Sequence, residues 1–298
     1  MSQVTTNSEL MALIRPYAEL VEQKLGEYLG GIEGPSRLIE AMSYSGLGPG
    51  KRIRPVLVLM CNEACGGQTK AALAAGCVIE MVHAYSLVHD DLPSMDDDDL
   101  RRGRPTCHKV YGEAMAILAG DALLTEAFGI ITKEIESAQT AKALVKELAA
   151  ATGADGMVGG QAADIMAERD GGDAAMLEYI HSHKTGKLIR ACCRMGALTA
   201  GATEKELQAL SEYGEAVGMS FQIIDDLLDL DSSAEVLGKS VGKDDRAGKL
   251  TWPSLMGVEA ARQKVRSLSE QAEASLKPLG QRANKLLSLA QMLGRRAA

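Results

Sequence analysis

The sequence predicts an all-α protein, and three observations carry that prediction. The β-branched alternation that marks strands is nearly absent, whereas Ala, Leu, Glu, Lys and Met, the residues favoured in helices, are abundant. Apolar residues recur at helical spacing, and clusters of Gly and Pro cut the chain into about eight to ten helix-length pieces. No composition shift, Pro/Ser-rich linker or solenoid repeat divides the 298 residues, of which 46% are hydrophobic. Residues 1–298 are therefore expected to form one domain with a substantial core.

The first helix is read from Leu10, Leu13, Ile14, Tyr17, Val21, Leu25 and Tyr28, a stripe at helical spacing. Breaks follow at Gly30-Gly31, Gly46 to Gly50, Gly66-Gly67, Gly103 to Pro105, Gly171-Gly172 and Gly201. The longest apolar stretch, Ala71 to Val88, contains Glu80 and His83, which fits a buried helix better than a membrane span of about 20 uncharged residues. The segment from Asp231 to Thr251 carries Lys239, Lys243, Arg246 and Lys249 with Gly238, Gly242 and Gly248, and is expected to be a polar loop able to act as a lid.

The net charge of −8 argues against a nucleic-acid partner, which needs clustered Lys and Arg. The six cysteines form no C-x-x-C pair, and the N-terminus has no basic region followed by an apolar core, so reduced thiols in a cytoplasmic protein are expected.

Two aspartate clusters about 135 residues apart carry most of the functional signal: Asp90-Asp91-Leu-Pro-Ser-Met-Asp96 and Asp225-Asp226-Leu-Leu-Asp229. Each ends an apolar stretch, so the core delivers carboxylates to a rim. Asp225 and Asp229 lie about 40° apart around a helix and about 6 Å apart along it, with Gln222 on nearly the same face and Phe221 beside it. Asp90 and Asp96 would diverge by roughly 120° on a straight helix. Pro93 opens the helix at Leu92, and looping out two residues would return Asp96 to the place of an i+4 carboxylate. Crowded carboxylates of this kind need cations, and hard oxygen donors suit Mg²⁺ held jointly by protein and substrate phosphate. A calcium loop with Gly103 at its sixth position fails, because Leu100 and Arg102 would occupy ligand positions. Gly238-Lys239-Ser240 fails as a P-loop, because Ser233 stands where its first glycine is required.

Basic groups offset the acidic background. Lys51 and Arg54 are three apart near a helix start, where they could hold an anion. His83 lies two turns before Asp90 on nearly the same face, and Arg101, Arg102 and Lys184 supply further donors suited to a diphosphate.

In sequence order, Gly50-Lys51-Arg52-x-Arg54-Pro55, His83-x-x-Ser86-Leu87-x-His89-Asp90-Asp91-Leu92-Pro93 through Asp96, Arg101-Arg102-Gly103, Gly160-Gln161-x-x-Asp164, Lys184-Thr185-Gly186, Phe221-Gln222-x-x-Asp225-Asp226-x-x-Asp229 and Gly238-Lys239 closely resemble the trans-prenyltransferases, or polyprenyl synthases, above all their bacterial farnesyl diphosphate synthase type. The resemblance runs over nearly the whole chain. It implies an isoprenoid-synthase-type helical bundle around a deep central cavity, usually homodimeric, acting on isopentenyl diphosphate and an allylic diphosphate. By that resemblance Asp90, Asp96 and Asp225 would hold Mg²⁺, three ions with substrate bound, assisted by Asp91, Asp226 and Asp229. Arg101, Lys184, Thr185, Gln222 and Lys239 would contact the allylic diphosphate beside Phe221, and Lys51, Arg54, His83 and Arg102 would hold isopentenyl diphosphate. Tyr85, with Ser86, would set product length from one turn and more below Asp90. A fifteen-carbon product is the expectation, with a twenty-carbon geranylgeranyl product as the near alternative. A terpene cyclase would lack a second diphosphate site, and a non-catalytic partner subunit would lack an aspartate motif. The chain departs from the resemblance at Pro49-Gly50, where relatives often carry Gly-Gly, and at Gln291 to Ala298, which lacks an aromatic residue.

Overall fold

A computed structural model describes residues 3–237 and 250–296. The chain begins with α1 (Gln3–Gly30), α2 (Ser36–Gly46), α3 (Ile53–Ala64) and α4 (Thr69–Asp90), and a two-residue antiparallel ribbon, β1 (Leu100–Arg101) and β2 (Arg104–Pro105), then interrupts the helices. It continues through α5 (Cys107–Tyr111), α6 (Glu113–Glu134), α7 (Ala138–Thr152), α8 (Met157–Asp170), α9 (Ala174–Ile180), α10 (Lys187–Thr199) and α11 (Glu204–Leu237). After the undescribed stretch come α12 (Trp252–Met256), α13 (Val258–Ser275) and α14 (Asn284–Arg296).

The helical prediction holds, and the count differs for a local reason. Two of the fourteen α-helices among the described residues, α5 and α12, are single short turns, each joined to the next helix through one glycine, Gly112 or Gly257. Both glycines adopt positive φ, which reorients the chain without a long loop. Conversely, α9 and α10 form one rod, because His181–Gly186 between them is a π-helical turn and not a break. The polar segment expected from Asp231 begins as helix, since α11 runs to Leu237. The rest of the candidate lid, with Lys239, lies outside the described residues.

The predicted stripe of α1 is inward: Leu10, Ile14, Val21 and Leu25 are buried, with Leu13, Tyr17 and Tyr28 packed at its margins. At the centre is α4, which packs against α3, α6 and α10. Its small residues, among them Ala72, Ala74, Ala75 and Cys77, let these neighbours close around it. One apolar cluster joins core residues from α1 to α14. By length and composition α4 and α6 could each cross a membrane; α4 is mostly buried, whereas α6 keeps Ile117 and Leu118 exposed. The six cysteines are free thiols.

Candidate active site

The first acidic rim forms where α4 runs out. Asp91 still donates its backbone N–H to the Leu87 carbonyl, but the Asp90 carbonyl accepts from the N–H of Asp96, at 2.8 Å, in place of residue 94. Two residues are thus looped out and Asp96 takes the i+4 position, as Pro93 required. The turn closes with Asp97 at φ 49°, its N–H on the Leu92 carbonyl. Burial raises the Asp90 carboxyl to about 6; Lys184 and Arg101 oppose that rise, while Asp96 and Asp91 add to it.

Asp91, one residue on, faces elsewhere. It is buried, and its Oδ1 accepts from Arg101 Nε at 2.5 Å, while Arg101 Nη2 donates to Asp98 Oδ2 at 3.1 Å. Asp91, expected to assist at the metal, anchors Arg101. The ribbon explains the placement: Arg101 pairs with Arg104 across a turn in which Arg102 and Gly103 both have positive φ.

The second rim is one face of α11. Asp225 and Asp229 are exposed, and Asp226, turned about 100° around the helix, is buried. Asp226 Oδ2 accepts from the Trp252 N–H at 3.0 Å and lies 3.5 Å from His181 Nε2, so this expected metal assistant ties α11 to α12 and to the π-helical turn. Gln222 Oε1 accepts from the Thr185 hydroxyl at 2.9 Å, and Phe221 packs against the core.

That π-helical turn, held between α8 and α11, presents Lys184 and Thr185. Lys184 Nζ pairs with Asp164 Oδ2 at 2.6 Å. Burial pulls the Lys184 ammonium down, but Asp164, Asp90 and Asp96 outweigh it and hold the group above its usual range. Asp164 belonged to a recognised motif without an assigned role; its four-residue spacing from Gly160 on one helix face was the available signal. A Cβ on Gly160 would collide with the Lys184 backbone nitrogen and sit 2.6 Å from its Cα. Gly160→Ala is therefore expected to displace the turn and lower kcat/KM by about 10²-fold, the scale of a misplaced reacting group. Steady-state kinetics beside a melting curve checks this; wild-type rates would show that α8 and the turn can separate freely.

A cavity of about 490 Å³ opens below the first rim. It gathers Arg54, His83, Tyr85, Ser86, Asp90, Lys184 and Thr185 from the predicted set, with Leu92, Met157 and Ile165 in its apolar wall. Arg54 Nη1 lies 3.3 Å from His83 Nε2. Burial, reinforced by Arg54, Arg102, Arg101 and Arg52, drives the His83 pKa well below its ordinary value, so the neutral ring accepts from Arg54. The Arg54 Nε is buried without a hydrogen-bond partner among the described residues, as a donor awaiting an anion would be. Asp91, Arg101 and Arg102 line a smaller adjoining hollow of about 70 Å³, which also reaches His83. Lys51 and Asp96 are exposed and line neither hollow.

No group of three or more His, Cys, Asp or Glu forms a metal cage among the described residues. Asp90 and Asp96, brought together by the looped turn and leaning on Lys184 for positive charge, fit the other pattern, in which Mg²⁺ is held by one or two carboxylates and the oxygens of a phosphorylated substrate.

A model of the polyprenyl synthetase family matches residues 35–286. The farnesyl diphosphate synthase of Geobacillus stearothermophilus is 47% identical over 263 residues, covering 87% of this chain and 88% of that protein. Geranylgeranyl pyrophosphate synthase 4 of Arabidopsis thaliana is 45% identical over 88% of this chain and 72% of its own length. Among solved structures, an FPP/GFPP synthase from Zymomonas mobilis superposes with a TM-score of 0.83 at 37% identity, covering 97% of this chain and 99% of that one. With acidic rims, basic donors and an apolar cavity in matching order, the chain belongs to the polyprenyl synthetase family.

Proposed function

We propose that this protein condenses isopentenyl diphosphate head to tail with dimethylallyl and then geranyl diphosphate, releasing diphosphate and farnesyl diphosphate. The observation that carries the reading is the shared lining: Asp90, Lys184 and Thr185 stand with Arg54 and His83 around one apolar cavity. Its identity to farnesyl diphosphate synthases over most of both chains supports the same product class.

In this reading Asp90, Asp96 and Asp225, assisted by Asp229, would hold three Mg²⁺ ions, which would supply charge to neutralise an allylic diphosphate. Asp91 and Asp226 act at one remove, through Arg101 and through His181 with the Trp252 backbone. Lys184 and Arg101, with Lys239, donate to the diphosphate oxygens as the allylic C–O bond breaks and its electron pair stays on oxygen. Thr185 and Gln222, hydrogen-bonded to each other, contact the same diphosphate. Lys51, Arg54, Arg102 and neutral His83 fix isopentenyl diphosphate so that its double bond attacks that carbon, and the proton lost to form the new alkene passes to the released diphosphate. The apolar wall keeps water from the carbocation.

The same reading makes the protein a single all-helical domain, cytoplasmic and homodimeric. Exposed Ile117 and Leu118 on the strongly apolar α6 support a paired α6 face, and light scattering giving twice the chain mass checks it.

The direct test is incubation with Mg²⁺, isopentenyl diphosphate and dimethylallyl or geranyl diphosphate, with product mass read by mass spectrometry. Fifteen carbons are expected, with turnover lost in excess chelator. A twenty-carbon product would favour the geranylgeranyl reading, to which the Arabidopsis relative lends support. No consumption of isopentenyl diphosphate would end both.

A further inference from the structure

Arg52 is an anomaly that the condensation chemistry does not use. It stands between Lys51 and Arg54 yet is buried, and its backbone is left-handed at φ 52° and ψ 31°, a strained state for a residue with a side chain. Such a conformation persists where surrounding contacts over-determine it. Here its Nη1 donates to Glu80 Oε1 at 2.7 Å, its Nη2 to the Gly48 carbonyl at 2.5 Å and its Nε to Glu22 Oε1 at 3.3 Å. Glu80 is buried too, one turn before His83 on α4.

The loop ahead of α3 is gripped by a second arginine. Arg102 Nη1 donates to the Pro49 carbonyl at 2.5 Å, and a Cβ on Gly50 would collide with that same nitrogen. Gly48 and Pro49 are thus held by two guanidinium groups, and Lys51 follows after Gly50. Glu80 pairs with Arg52 and lines the same small hollow as Arg102, where its charge favours the Arg102 guanidinium. One carboxylate in the wall of α4 therefore fixes Arg52 directly, beside the Arg102 that holds the next carbonyl of the loop.

We infer that Glu80 and Arg52 are a positioning pair for isopentenyl diphosphate, clamping the Gly48 to Lys51 loop so that Lys51, Arg54 and Arg102 converge on one diphosphate. The inference rests on the assignment of those residues to isopentenyl diphosphate given above. A buried pair can instead be a bare counter-ion, and the two roles predict opposite signs. Removing only a counter-ion leaves more positive charge at the site and tightens diphosphate binding. Removing a positioning group loosens the loop and weakens it.

The test is Glu80→Gln, which keeps the side-chain shape and removes the charge, and Arg52→Lys, which keeps the charge and loses the fork. KM for isopentenyl diphosphate and for geranyl diphosphate are measured separately, beside melting curves. Each variant is expected to raise the isopentenyl KM about tenfold or more, with kcat and the geranyl KM within about twofold of wild type. Arg52→Lys carries the same prediction should Glu80→Gln fail to fold. A lower isopentenyl KM, or a reduced melting temperature with both KM values unchanged or raised together, would overturn the proposal. Lys51→Ala separates the two levels. If it raises the isopentenyl KM and neither pair variant does, only the positioning role fails; if it leaves that KM unchanged, the site assignment and the positioning role fail together.

Discussion

Asp90→Asn is expected to lower kcat by about 10³-fold, the scale of losing one preorganised electrostatic contact to a developing charge, while making the ligand-free protein more stable at neutral pH. The two effects share a cause. Burial beside Asp96 and Asp91 moves the Asp90 carboxyl from its ordinary 3.8 to about 6, so the folded chain binds that proton more readily than the unfolded chain. Stability from this group is therefore complete below about pH 4, declines as pH rises to about 6 and is lost at pH 7. At about 1.4 kcal/mol per pH unit, and allowing for partial exposure, the penalty is on the order of 2 kcal/mol. Asparagine removes it, giving a melting temperature higher by a few degrees at pH 7.5 and a gain that vanishes near pH 4. A variant that is inactive and less stable at pH 7.5 would place Asp90 in the scaffold and not among the strained functional carboxylates.

Tyr85→Ala is expected to move the main product from fifteen carbons to twenty or more. Tyr85 is buried, lines the cavity and lies five residues before Asp90, about 7.5 Å deeper along α4. Its ring meets the His89 ring edge-on, with centroids 5.7 Å apart, and His89 is in turn fixed by the Ile117 carbonyl at 3.0 Å. The Tyr85 ring is thus braced against α6 through His89. Replacing a buried aromatic residue costs about 3 kcal/mol, which a helical core of this extent can bear. An unchanged carbon-number distribution in the mass spectrum would move the length determinant away from this turn.

The acidic rims were legible in the sequence because their signals are local. Helical spacing placed Asp225 and Asp229 on one face, and Pro93 announced the looped turn that the Asp96-to-Asp90 hydrogen bond completes. What spacing could not show was the direction of the middle carboxylates. Asp91 and Asp226 each follow a rim residue by one position, a rotation of about 100°, and whether that leads to solvent, metal or a buried partner depends on Arg101 and Trp252, which arrive from elsewhere. The Asp164 to Lys184 pair was hidden for the same reason, since its members meet only after α8 and the following rod pack together. The β-ribbon escaped notice because two-residue strands carry no periodicity. The number of helices was underestimated because single glycines at positive φ turn the chain without a loop-like composition.

The π-helical turn His181–Gly186 can be regarded as an α-helix that has absorbed one surplus amino acid. Excising a single codon there would let regular winding resume with the flanking helices kept in phase, so the change would fall on the turn itself. Lys184 and Thr185 lie within the turn, and its narrowing would draw them away from Asp164 and Gln222, their respective partners. Length in this stretch is thus constrained as tightly as side-chain identity, and a one-residue gap would be more damaging than most substitutions.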